Sequence, residues 1–178
     1  MKKIFLMILA TLLISSTCAF AANNFKSVGA VVIGGSEFKT PEFYKMIKNE
    51  FDPKSGANFS VGGDLQNQYQ KFLLNRDLIG DSIPHKKDLV DFTAMSGYGK
   101  ILFIVIPVSN VDHQNNAKSR QKDRISVQVD GYVCNNSGVI EVATASQQSD
   151  SRTSDLRARR GAFRKCLKDL AKNLNRAM

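Results

Sequence analysis

Glycine and proline are scarce in this 178-residue chain, at 12 and 4 residues, which excludes a fibrous repeat. Charge is too sparse for intrinsic disorder: 23% of residues are charged beside 43% hydrophobic ones, among them 11 Phe. Histidine is nearly absent, and the two present, His85 and His113, stand in polar surroundings with too few further ligands to build a metal centre. Neither phosphate-binding fingerprint, GxGxxG or GxxxxGK[ST], occurs, so no nucleotide cofactor is implied. No apolar run reaches the ~20 residues that a membrane-spanning helix needs. A globular domain of ordinary composition, one domain's worth of chain, remains.

What is there begins with an address. Lys2 and Lys3 precede an apolar run from Ile4 to Ile14, and small or polar residues lead to Ala19-Phe20-Ala21. This is the layout of a secretory signal peptide, with cleavage expected after Ala21. A competing reading makes Cys18 a lipidated N-terminus, although Ser15-Ser16-Thr17 lacks the Leu that normally stands three residues before such a Cys. The division expected is a leader over 1–21, a short segment over 22–27, and a single globular domain over 28–178. The product is a periplasmic or secreted protein with no transmembrane segment in its mature form.

Cleavage removes two Lys and no acid, which leaves 23 basic against 16 acidic residues and a formal charge of +7. On an exported domain that charge points to anionic envelope polymers, lipid head groups or acidic protein surfaces, and away from nucleic acid; the plain alternative is solubility. Cys134 and Cys166 are the mature chain's cysteines, and an oxidising compartment permits a bond between them. Cys134 shares the polar alternation of its strand, while Cys166 flanks a helix expected on the opposite face. A bulge near Asn135 would join them; otherwise they are two separately buried thiols.

Val28–Ile33 reads as a buried strand ending at Gly34-Gly35. Thr40-Pro41-Glu42 opens a helix whose Phe43, Ile47 and Phe51 face inward. A short strand over 59–61 follows, then a helix capped by Asp64 and carrying Leu65, Tyr69, Phe72 and Leu73, and a shorter one with Leu89, Val90 and Phe92. Residues 101–108 form a central strand, weakened at Pro107, which has no N–H to donate. Residues 110–124 read as an exposed basic loop or the tip of a long hairpin. Ile125, Val127, Val129, Gly131 and Val133 alternate with polar partners, Asn135 to Gly138 turns, and 139–144 returns, before a polar stretch over 147–153. The last helix starts near Ser154 with an apolar stripe of Leu156, Phe163, Leu167, Leu170, Leu174 and Ala177. The fold class is α+β with an α/β-like start: a mixed sheet of about four to five strands, packed helices, an antiparallel C-terminal hairpin and a long C-terminal helix.

No catalytic constellation stands out, and an enzyme is not expected. Asp112-His113 at the end of the central strand, or Cys134, is the best candidate for a small secreted hydrolase, yet the Asp-His pair stands alone and nothing in the spacing gives Cys134 a base held by a third group. Asp88 and Asp91 share a helix face, as solvated acids commonly do. Gly34-Gly35-Ser36 is a poor match to a phosphate turn. The surface feature with most promise is the last helix, where Arg157, Arg164, Lys165, Lys168 and Lys172 collect on one arc at 100° per residue. Lys118, Arg120, Lys122 and Arg124 in the loop extend it. No aromatics interleave with these cations, which speaks against single-stranded nucleic acid.

The order of elements, with the strand pair Val127-Gln-Val-Asp-Gly-Tyr-Val and Ser137-Gly-Val-Ile-Glu-Val before the closing helix Arg159-Arg-Gly-Ala-Phe-Arg-Lys-Cys-Leu, resembles the N-terminal domain of TolB and the CsgG and LpoB-like envelope proteins. The resemblance implies a non-catalytic envelope domain that docks or assembles other proteins. The alternatives are the small hydrolase and a binder of anionic polymer or lipid surface. The chain departs from the pattern in having no convincing lipobox, no following propeller and no pore-forming segments.

Overall fold

An unbroken apolar hexapeptide has no face to offer water, and Val28–Ile33 accordingly forms β1 with every residue buried. The computed structural model describes residues 27–51, 58–78, 84–107, 109–114, 122–151 and 154–178, with backbone alone for 109–114 and 122–123. The expected leader, 1–21, lies outside them.

β1 pairs in parallel with β2 (Phe59–Val61) on one side and β3 (Lys100–Val105) on the other. β3 runs antiparallel to β5 (Lys122–Asn135), and β5 runs antiparallel to β6 (Gly138–Ser151) over almost its whole length. β4 (Ser109–Gln114) pairs with the Lys122–Val127 half of β5, on the edge that β3 occupies further along. Four steps from Val105 to Ser109 face three from Asp130 to Val127, a one-residue bulge that contains Pro107. The sheet therefore has six strands in five positions. It is mixed and the fold is α+β, as read from the sequence; the additional strand comes from this break.

Helices cover both faces. α1 (Pro41–Glu50) and α4 (Asp155–Leu174) pack on Val28, Ala30, Val32, Leu102, Ile104, Val127, Val129 and Val133. α2 (Gly63–Asn75) and α3 (Lys86–Ser96) pack on Val31, Ile33, Ile101, Phe103 and Val105. Phe38, Phe43 and Phe163 meet with centroids 5.2–5.5 Å apart, fastening α1 to α4. A phenyl ring buried this way contributes about 2–3 kcal/mol by area. Gly131 lets α4 approach β5, because a Cβ there would fall 2.5 Å from a Leu174 methyl.

Four expectations need correction. α2 is capped by Gly62 at φ 72°, with Asp64 inside its first turn. Leu156, assigned to the buried stripe, stays 43% exposed in the uncovered first turn of α4. β6 does not stop at Thr144: its polar continuation to Ser151 keeps pairing with β5, and Ser151 is buried. Of the stretch 110–124, expected to be loop or hairpin tip, 110–114 belongs to β4 and 122–124 begins β5, the two paired antiparallel, while 115–121 lie outside the described residues.

Candidate docking surface

α4 is where the sequence concentrates charge. Ser154 caps it, its Oγ accepting from the Arg157 N–H at 3.2 Å. Ala158, Ala162, Phe163, Cys166, Leu167, Leu170, Ala171 and Leu174 are buried, which leaves Arg157, Arg164, Lys165, Lys168 and Lys172 on the solvent side, all exposed. The helix holds seven Arg and Lys against Asp155 and Asp169, while α1 balances Lys45 and Lys48 with Glu42 and Glu50. Across the sheet, α2 balances Asp64 with Lys71, and α3 balances Lys86 and Lys87 with Asp88 and Asp91. One helical layer thus carries +5 and the other zero.

Some of these cations are engaged. Arg160 pairs with Glu42, Arg164 Nε lies 3.7 Å from Glu50 Oε1, and Lys172 Nζ donates to Asp169 Oδ1 at 2.8 Å. Lys165 Nζ donates to the Gln148 carbonyl at 2.9 Å. Among the described residues, the side chains of Arg157 and Lys168 have no acidic partner. Surface pairs of this kind contribute about 0–1 kcal/mol each, so the face stays available. The Asp169 carboxyl is held below its ordinary value by hydrogen bonds from Lys172 and then Gln147, the latter at 2.6 Å.

The other sequence candidates fare differently. Arg124 pairs across the hairpin with Asp150 at 3.0 Å. Lys118 and Arg120 lie outside the described residues, as do the side chains of Lys122, Asp112 and His113. His85 is exposed at the N-cap of α3. Asp88 and Asp91 both accept from Arg76, at 3.3 and 2.8 Å, and so form an ion-pair cluster. Gly34-Gly35 leads into a 3-10 turn (Ser36–Phe38), not directly into α1.

The disulfide between Cys134 and Cys166 is not formed; both thiols are free and fully buried. Cys134 belongs to the α2/α3 side of the sheet and Cys166 to the α1/α4 side. The expected bulge exists, between Val133 and Cys134, but it does not carry the thiol through the sheet. Cys166 Sγ donates to the Val127 carbonyl at 3.3 Å. Burial pushes each thiol up to about 12, which suits structural cysteines and not nucleophiles.

Two hollows remain. A cleft of about 260 Å³ between α1 and α4 mixes Glu42 with Lys45, Arg160 and Arg164. A groove of about 420 Å³ between α2 and α3 is floored by Phe72 and Phe92. Neither gathers an acid, a base and a nucleophile, and no group of three His, Cys, Asp or Glu able to hold a metal occurs among the described residues.

Sequence reasoning missed the free edge of β6. Among the described residues this 14-residue strand pairs with β5 alone. Gly161 allows α4 to come down over that edge, since a Cβ there would meet Ser149 Oγ at 2.5 Å. The one signal was Ala143 and Ala145, small apolar residues two apart and suited to lie beneath a helix; Gln147, Ser149 and Ser151, which continue that face, give none.

No family model and no curated protein matches the chain. Among solved structures, it is similar to a lipoprotein from Neisseria meningitidis, at 10% identity over 82% of this chain and 96% of that one, with a TM-score of 0.45. A minor lipoprotein from Acinetobacter baumannii is similar at 12% identity over 85% and 89%, with a TM-score of 0.32. Likeness at that level says nothing of what the chain does. Among the described residues no helix is long and apolar enough to cross a membrane.

Proposed function

We propose that this chain is an exported, non-enzymatic domain of the cell envelope that docks a protein partner on the solvent face of α4. The charge division between the two helical layers, +5 against zero, carries the reading. It is supported by the leader-like N-terminus, by the family-like order of elements, and by the ion-pairing or burial of the described Asp, Cys and Arg side chains that would otherwise suggest chemistry. Each exposed cation adds on the order of 1 kcal/mol or less against an anionic surface, so the attraction is collective.

Reversing charge at Arg164, Lys168 and Lys172 together tests it. Capture of crosslinked partners from envelope extract is expected to fall at least tenfold, with the circular dichroism spectrum unchanged. Undiminished capture removes α4 from the account. Binding that goes to polyanion or anionic vesicles instead, and vanishes between low and physiological salt, replaces the protein partner with an anionic polymer or lipid surface.

A further inference from the structure

The exposed edge of β6 lies directly beside the cations of α4. Lys165 reaches down to the Gln148 carbonyl, which places that carbonyl on the free side of the strand. In an antiparallel ladder a residue's N–H and C=O point the same way and alternate along the strand. Val142, Thr144 and Ser146 therefore present their backbone groups to the same free edge as Gln148. Their side chains point away from α4 and are exposed, Val142 by 42%. Such an edge is a template for another strand, and a lysine placed across it is a common guard against indiscriminate pairing.

We propose that this edge accepts an extended acidic segment of another protein as an added antiparallel strand. The inference rests on the docking reading above and names the form of the partner. As the strand adds, its N–H replaces the Lys165 ammonium at the Gln148 carbonyl, and the released ammonium meets a carboxylate on the incoming strand's α4 side. Lys172 stands two helical turns on, roughly 10 Å along the axis and on the same side, ready for a second carboxylate. Asp169 between them is already engaged by Lys172 and Gln147. The acidic requirement covers the stretch facing 143–148; beyond it Glu141 reverses the preference. Charge also selects against a second copy of this chain. A two-fold β6 pairing would set the Lys165 and Lys172 row of one α4 toward the same row of the other.

The test uses a fluorescein-labelled ten-residue peptide in which Glu alternates with Thr, read by anisotropy. The Ser146→Pro variant removes one outward N–H and alters no charge; edge positions tolerate such a proline. Binding is expected to weaken at least tenfold in Ser146→Pro and in Lys165→Glu. The wild-type chain is expected to lose the same factor against a fully N-methylated peptide, which keeps the measurement decisive where Ser146→Pro fails to fold. Binding within twofold across the proline variant and the methylated peptide overturns strand addition, while leaving docking on α4 to be judged by the triple charge reversal. Absence of binding to wild type at millimolar peptide also overturns it. A dimer in sedimentation that Ser146→Pro abolishes overturns the acidic occupant in favour of a second copy.

Discussion

Gln66 is the buried polar side chain whose loss has the most calculable consequence. β2 accompanies β1 only from Val28 to Ala30, so the backbone of Val32 has lost its strand on that side. The Gln66 amide takes the place of that strand. Its Oε1 accepts from Val32 N–H and its Nε2 donates to the Val32 carbonyl, each at 2.9 Å, with Gln66 itself 5% exposed. Gln66→Leu leaves both backbone groups buried and unpaired, at about 1–3 kcal/mol each, offset by about 1 kcal/mol from the added apolar burial. The net loss is about 3 kcal/mol, which for a domain of this size lowers Tm by roughly 6–12 °C. Urea unfolding of wild type and variant measures it, and hydrogen exchange at the Val32 amide localises it: protection at that amide should collapse further than at Leu102. A loss under about 1 kcal/mol with Val32 still protected would refute the idea that a side chain substitutes for a strand here.

Two further outcomes follow from the thiols and from Asp169. With burial pushing both to about 12, Cys134 and Cys166 should resist iodoacetamide at pH 8 in the folded chain and label fully in guanidinium, as read by peptide mass spectrometry; labelling within minutes under native conditions contradicts their placement. The Asp169 carboxyl sits below its ordinary value because Lys172 and Gln147 stabilise its charged form, so its contribution to stability is present above the unfolded value and fades as pH falls through the folded one. Lys172→Met should move the Asp169 titration, followed by carboxyl NMR, back up toward the ordinary range, and no movement would mean that the pair does not form in solution.

The fold was legible wherever burial imposes a pattern. Val28–Ile33 and Ile101–Val105 show no alternation because helices cover both their faces, and the 125–133 alternation reports one covered and one wet face. The far half of β6 was not legible. Its helix-facing positions are Gln147, Ser149 and Ser151, polar residues in close contact with α4 through Asp169 and Gly161, so hydrophobicity along the chain carries no trace of the packing. Gln66 was hidden for the same reason: a polar residue on a helix reads as solvent-facing until the strand it completes is known. Leu156 is the converse, an apolar residue in register with a stripe whose covering surface ends before it.

The basic arc of α4 was readable from residue spacing alone, but its relation to the sheet was not. At 100° per residue the helix places Lys165 and Lys172 at one border of the exposed arc, and only the position of α4 over β5 and β6 turns that border into the margin of a strand edge. A lysine on the middle of a solvent face acts through charge alone. One whose ammonium is bonded to an edge carbonyl acts through charge and through the geometry of the ladder together, which is why Lys165→Glu and Ser146→Pro are expected to weaken the same complex by different means. Reversing Arg164 and Lys168 alone spares Lys165, Lys172 and the edge. Its effect, set beside that of Ser146→Pro, therefore separates attraction to the helix from pairing with the strand.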